Sequence, residues 1–353
     1  MLNGLETYGC TDLIESLKGK KPFFICTIAT TATCKIPRIS GAGANTELMI
    51  YTPAGDAEIM VHGKTLCCDV PKTVSDGISV PTPAMITKGV IELTDVPFLI
   101  ANAGSEINPE VPYISINDEG GGDIRTGHAV IDPEKIFEDA KIIAKEISKS
   151  CDYLVIGESI PAGTTTALGV LTALGYDASF KVSGSSPENP HELKMDVVHE
   201  GISKSDIRIG DFSPFDAVKT VGDPMIPAVA GMVIGSEVPV ILAGGTQMAA
   251  VCGFIRKLDS DFDFSNVCLG TTTYVARDET SDLVDLISQV GEITVNVVDP
   301  YFERSENEGL KNYLKGFVKE GVGAGGAILM ALLLGYSIDD VREKIEEILE
   351  LNG

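Results

Sequence analysis

The sequence predicts an α/β protein: a doubly wound, mostly parallel sheet with helices on both faces and a smaller helical part drawn from the chain ends. Three observations lead there. Beyond Asp152, short apolar runs at 153–156, 179–182, 238–243, 266–269 and 293–298 alternate with helix-length segments, the rhythm of parallel strands joined by crossover helices. The runs are continuous rather than alternating, as in strands covered on both faces. Three of them end alike, in Gly163-Thr164-Thr165-Thr166, Gly244-Gly245-Thr246 and Gly270-Thr271-Thr272-Thr273, turns in which glycine admits a close ligand and threonine adds a hydroxyl beside free amides.

Taken in order, the chain offers a first strand at 23–28 and a small-residue loop at 39–45, which is either a connection or a ligand-facing loop. A Pro/Gly/Ser-rich loop follows at 74–84, then a strand and turn at 98–104 and a glycine-rich loop at 120–127. Residues 133–150 carry helical spacing, with Ile136, Ala140, Ile143, Ala144 and Ile147 on one face. Segment 153–175 then reads as strand, loop and helix, and further helices start near Pro190, Pro224, Thr246 and Thr280. Segment 308–319 is predicted helical through Leu310, Leu314, Phe317 and Val318, 328–334 is an apolar helix, and Ser337 with Asp340 caps the last one. The expectation is one domain over 1–353, its main sheet at about 75–300 and its helical part from about 1–20 and 305–353.

The 353 residues carry 27 basic and 51 acidic side chains, a formal charge of −24. Such a field repels nucleic acid and anionic membrane, and no basic stripe with interleaved aromatics reverses it locally. No secretory signal opens the sequence, and the longest apolar stretch, 324–334, is too short to cross a bilayer. The eight cysteines, at 10, 26, 34, 67, 68, 151, 252 and 268, form no CxxC pair, so buried thiols of a reducing cytoplasm are expected rather than disulfides or a metal site.

The candidate chemistry gathers in three places. A helix opening at the carboxyl end of the 153–156 strand aims free amides and a positive dipole end into the crevice above the sheet, where Glu158, Gly163, Thr164, Thr165 and Thr166 would form half of a site for an anionic ligand. Ser183-Gly184 ends another run, and Lys194, one turn into the next helix, is placed either to reach back over that loop as a phosphate counter-charge or to lie on the surface. Gly321, Gly323 and Gly326 match G-x-G-x-x-G, but a helical segment precedes them and no βαβ unit follows, so a dinucleotide site is excluded. Glu320 before these glycines is either solvated or held against an apolar ligand pocket, where desolvation would make it a general base. No Walker A, HExxH or GxSxG sequence is present.

At these places the chain resembles the nicotinate-nucleotide:dimethylbenzimidazole phosphoribosyltransferase family, and specifically its divergent archaeal and cyanobacterial branch. The family's E-G-x-G-A is matched by Glu320-Gly321-Val322-Gly323-Ala324, its G-E loop and paired threonines by Gly157-Glu158 and Thr164-Thr165, and its phosphate turn and helix lysine by Val182-Ser183-Gly184-Ser185 and Lys194. Gly222-Asp223-Pro224-Met225-Ile226-Pro227, Leu242-Ala243-Gly244-Gly245-Thr246-Gln247-Met248 and the run from Gly316 to Gly326 match the branch. The bacterial G-I-G-N-T-T loop is replaced by Ile160-Pro161-Ala162-Gly163-Thr164-Thr165.

The resemblance implies transfer of phosphoribose from nicotinate mononucleotide to an aromatic base, with no cofactor or metal, for the lower ligand of cobamides. It implies Glu320 as catalytic base and Glu158 beside the ribose. It places the phosphate on Gly163, Thr164, Thr165, Thr166, Ser183, Gly184 and Lys194, with Gly244, Gly245, Thr246, Gly321 and Gly323 also lining the site. It further implies a cytoplasmic homodimer, with the apolar helices at 225–234 or 327–334 as candidate interfaces. A nucleotide-binding protein without turnover, or a transferase acting on adenine or a phenolic acceptor, are the alternatives.

Overall fold

The computed structural model describes residues 2–41, 47–68, 72–75 and 78–352. Its sheet is made of β1 (Leu5–Tyr8), β2 (Pro22–Ala29), β5 (Phe98–Gly104), β6 (Ile114–Ser115), β7 (Tyr153–Ser159), β8 (Val240–Ala243), β9 (Val267–Thr272) and β10 (Thr294–Val298). A separate antiparallel ribbon pairs β3 (Lys72–Ser75) with β4 (Ile78–Pro81). The large sheet runs in the order β1-β10-β9-β8-β7-β2-β5-β6, every neighbouring pair parallel except β1 with β10.

The chain thus winds outward from β2 through β5 to β6, returns to the other flank of β2 at β7, and continues to β10. The reversal between β2 and β7 is a topological switch point, the place where crossover loops part and leave a crevice above the strand ends. All seven residues of β7 are buried, with Leu154 and Ile156 packing into one core and Tyr153 and Val155 into the other. A strand with two dry faces needs the continuous apolar run seen in its sequence.

On one face, helix Met225–Gly235 lies so close to helix Pro133–Ser148 that a Cβ added at Gly231 would stand 2.2 Å from the Phe137 carbonyl oxygen. On the other, the chain ends meet: Ile14 and Leu17 share a core with Ile328 to Leu333 of helix Ala324–Leu333 and with Val341, Ile345 and Ile348 of helix Ile338–Asn352. The apolar helices at 225–234 and 327–334 are both buried within the chain itself, so neither presents its apolar face for the dimer interface expected of it.

Several expectations are corrected. The sheet begins at residue 5 rather than near 75, because β1 and β2 belong to it. Residues 179–182 form a turn, not a strand: β7 already has β2 and β8 on its two edges, and Phe180 takes a left-handed φ of 59°. The expected loop at 74–84 contains the ribbon and the start of helix Pro83–Thr94. The expected helix at 308–319 stops early, as Glu308–Lys311 and a 3-10 turn Asn312–Lys315, because Gly316 at φ 83° turns the chain toward the crevice. Most of the 39–45 loop lies outside the described residues. All eight cysteines are free thiols, and among the described residues no helix is long and apolar enough to cross a membrane.

The Gly231 contact makes a direct test. Gly231→Ala forces the two helices apart and should lower unfolding stability by about 1–3 kcal/mol in urea titration, since overpacking a close contact is relieved only by backbone shifts. Retention of full stability would show that the helices have slack there.

Candidate functional site

A cleft opens at the switch point, over the carboxyl end of β7. Its floor is Glu158, Ser159 and the loop Ile160 to Thr164. Ala162 takes φ 62°, which swings the chain up so that helix Gly163–Ala173 starts at the cleft, its Gly163, Thr165 and Thr166 amides donating to the Ile160 and Ala162 carbonyls. From one side come Ser183, Gly184, Ser185, Gly245 and Thr246, and from the other Thr52, Asp56, Thr82 and Pro83. The Thr246 hydroxyl accepts the Ser183 N–H at 3.3 Å, joining two of the glycine/hydroxyl turns into one surface.

Between these sides lies the turn that carries Glu320. Val318, Lys319, Gly321, Val322 and Gly323 all have positive φ, a contorted path that needs firm anchoring. Four hydrogen bonds anchor its backbone: the Val318 N–H donates to the Ser185 carbonyl at 2.9 Å, Val322 N–H to the Glu158 carbonyl at 2.7 Å, the Thr87 hydroxyl to the Val322 carbonyl at 2.9 Å and the Thr272 hydroxyl to the Lys319 carbonyl at 2.7 Å. Gly157 of β7 lies directly beneath, where a Cβ would stand 2.8 Å from Gly323 Cα.

The Glu320 carboxylate is held through both oxygens. Oε2 accepts the Thr272 N–H at 3.0 Å and the Thr271 hydroxyl at 3.4 Å, while Oε1 accepts the N–H groups of Gly321 at 3.2 Å and Gly325 at 3.1 Å, the latter in the first turn of helix Ala324–Leu333. Burial of the carboxyl among protein atoms outweighs these donors and pushes its pKa up to about 7. A carboxylate poised at neutral pH on the wall of a cleft is equipped to take a proton.

Glu320 has acidic neighbours. Glu158, 2 % exposed, is driven well above the usual carboxylate range by burial first and then by repulsion from Glu320, Asp223 and Asp56. Asp56 accepts hydrogen bonds from Thr82 Oγ1 at 2.7 Å and Ser159 Oγ at 2.6 Å, and burial lifts it to about 6. Asp223, fully buried behind the floor, accepts from the Thr166 hydroxyl and from the Met225 and Ile226 N–H groups. The one cationic side chain lining the cleft, among the described residues, is Lys319, whose ammonium meets Asp278 Oδ2 at 2.6 Å.

The structure brings Glu158, Gly163, Thr164, Ser183, Gly184, Gly245, Thr246, Glu320 and Gly321 together in this cleft. It leaves five candidates behind the wall. Thr165 and Thr166 are buried in the helix start, and Thr166 serves Asp223. Gly244 faces Met248, and Gly323 packs on Gly157. Lys194, 1 % exposed, donates to the Ser183 carbonyl and to Asn189 Oδ1, both at 2.7 Å, so it braces the Ser183–Gly184 loop from beneath. Burial and the nearby Lys319 charge lower its pKa to about 7. Sequence inspection missed Asp56, Thr82, Ser159 and Lys319; Ser159, next to Glu158, and Lys319, next to Glu320, stood inside motifs that could have flagged them.

No protein-family model matches the chain. It is 54% identical over 351 residues to the UPF0284 protein of Methanothermobacter thermautotrophicus, covering 99% of this chain and 98% of the relative. It is 43% identical over 339 residues to the UPF0284 protein of Methanosarcina mazei, covering 95% and 96%. Among solved structures it is similar to CobT from Thermus thermophilus, with TM-score 0.59 and 15% identity over 93% of this chain and 84% of that one. A second structure, the nicotinate-nucleotide-dimethylbenzimidazole phosphoribosyltransferase of the same organism, gives TM-score 0.58 and 15% identity over 94% and 84%. The chain belongs to the UPF0284 family and is built on the α/β fold that it shares with CobT.

Proposed function

We propose that this protein transfers the phosphoribosyl group of nicotinate mononucleotide to a ring nitrogen of an aromatic base, dimethylbenzimidazole or a similar azole, giving an α-ribotide and nicotinate for the lower ligand of cobamides. The observation that carries this is Glu320: a desolvated carboxylate with a pKa near 7, fixed by backbone amides on the wall of the switch-point cleft. In the reaction the azole nitrogen attacks C1′, the bond from C1′ to the pyridinium nitrogen breaks with its electron pair going to nicotinate, and Glu320 takes the azole proton.

The charge layout supports this substrate. Nicotinate mononucleotide carries a 5′-phosphate and a cationic ring. The phosphate suits the side formed by Ser183, Gly184, Gly245, Thr246 and the positive dipole end of helix Gly163–Ala173, with Lys319 as counter-charge. The pyridinium, and the positive charge that develops at C1′, suit the acidic middle of the cleft around Glu158 and Glu320. Because Glu320's turn is tied to Ser185 on one side and to Thr87 on the other, the acceptor base takes the remaining side, against Asp56, Thr82, Pro83 and Ile160. Fold similarity to the two Thermus thermophilus structures supports a transferase of this type.

Three outcomes are expected. Glu320→Gln should cut nicotinate release by about 10²–10⁴-fold with little change in KM for the nucleotide, the span usual for loss of a general base; an unimpaired variant would remove Glu320 from the chemistry. In wild type, kcat/KM should rise with pH through about 7, where Glu320 ionises, and this limb should be absent in Glu320→Gln. Glu158, finally, has a folded pKa above its ordinary 4.5, so the native state binds more protons and loses stability as pH climbs from about 4.5. Glu158→Gln should therefore raise Tm by about 2–4 °C at pH 8 and by less at pH 5, read by calorimetry without ligand. Equal shifts at both pH values would mean that Glu158 is ionised without cost.

A further inference from the structure

Asp56 has no part in the chemistry above, yet its side chain lines the cleft while the residue is 5 % exposed. It stands one helical turn after Thr52, another cleft residue, in helix Thr52–His62, a helix buried at almost every position. Each of its oxygens accepts one hydroxyl hydrogen bond, Oδ1 from Thr82 and Oδ2 from Ser159, and among the described residues no ion pair reaches it. An ionised carboxylate offers roughly four lone-pair sites, and the described residues take up about half of them. Both hydroxyls already spend their protons on it. Beside it, Pro83 and Ile160 supply apolar surface suited to a flat ring.

An acceptor-only group set into an apolar wall selects a ligand that brings a donor. Resting on the transferase reading, we infer that Asp56 is the specificity-determining residue of the acceptor subsite, and that among the azoles proposed above the preferred acceptor carries an N–H or O–H donor on its rim in place of the methyl groups of dimethylbenzimidazole. A methyl substituent would cover the carboxylate and leave it buried without its missing partners. A site built to hydrogen-bond a substituent rejects analogues lacking it far more strongly than a hydrophobic slot rejects an extra methyl. The competing role is to hold ribose hydroxyls, since Asp56 meets Ser159 on the floor beside Glu158, and the test below separates the two.

The test uses two bases of nearly equal size, 5-aminobenzimidazole and 5-methylbenzimidazole, with saturating nicotinate mononucleotide and wild type, Asp56→Asn and Asp56→Leu. Wild type should show a kcat/KM for the amino base at least about tenfold above that for the methyl base, and the ratio should fall to about one or below in Asp56→Leu. A wild-type ratio near one, which needs no variant to fold, overturns the inference. So does a rise in KM for nicotinate mononucleotide in Asp56→Asn with the base ratio unchanged, since that would put the ribose on Asp56. If no base yields an α-ribotide, the transferase reading fails, and calorimetric binding of the two bases still decides on Asp56: an amino preference lost in Asp56→Leu supports the inference, and equal binding overturns it.

Discussion

The architecture of the cleft depends on the contest over one carboxylate. Glu320 is pulled toward ionisation by amides of Thr272, Gly321 and Gly325 and away from it by burial, and burial prevails only far enough to leave its pKa at about 7. That balance requires an end of β9, a turn of left-handed residues and the first turn of helix Ala324–Leu333 to converge within hydrogen-bond reach. Glycine makes the convergence possible: a Cβ at Gly325 would stand 2.4 Å from the Thr271 carbonyl carbon and 2.7 Å from Glu320 Oε2. The packing of this helix on the sheet and the presentation of Glu320 are therefore one arrangement, and disturbance of either is felt by the other.

Around that point the protein concentrates unfavourable charge. Burial pushes up the pKa of Glu158, Asp56 and Asp223 as well as Glu320, and three of these four side chains line the cleft. Each costs stability in the empty protein at neutral pH, which fits a pocket shaped for a ligand rather than for the fold. A cationic ring entering the middle of the cleft would relieve the repulsion where it is greatest. Against a net charge of −24, the cleft also holds one lysine, Lys319, and the N-terminal end of helix Gly163–Ala173.

What could be read from the sequence follows the range of the interactions. The strand, turn and helix around residues 153–175 were legible because a continuous apolar run, glycine and capping threonines lie next to one another in the chain. Glu320 was legible because the glycines that let it bend inward follow it directly. Asp56 was not, since its partners Thr82 and Ser159 are 26 and 103 residues away and its own helix carries no amphipathic contrast to mark one polar side chain as special. The short strand-like segment at 179–182 misled for the opposite reason: its local composition suits a strand, but the sheet had no free edge beside β7 to receive it.

The two lysines show the same limit at a finer scale. Spacing alone put Lys194 over the Ser183–Gly184 loop, and the structure does set it against that loop, but from the protein side, where it donates to a backbone carbonyl and to Asn189. Lys319, which local pattern could treat as the solvated neighbour of Glu320, is 3 % exposed and enters the cleft wall because its left-handed backbone turns it inward to Asp278. Asp278 also accepts the Ser183 hydroxyl at 3.1 Å, so the cleft lysine and the loop that Lys194 supports share one anion. A charge arriving near Ser183 would then be felt by Lys319 through Asp278 and by Lys194 through the loop it braces, which couples the two lysines, one lining the cleft and the other bracing its Ser183–Gly184 side.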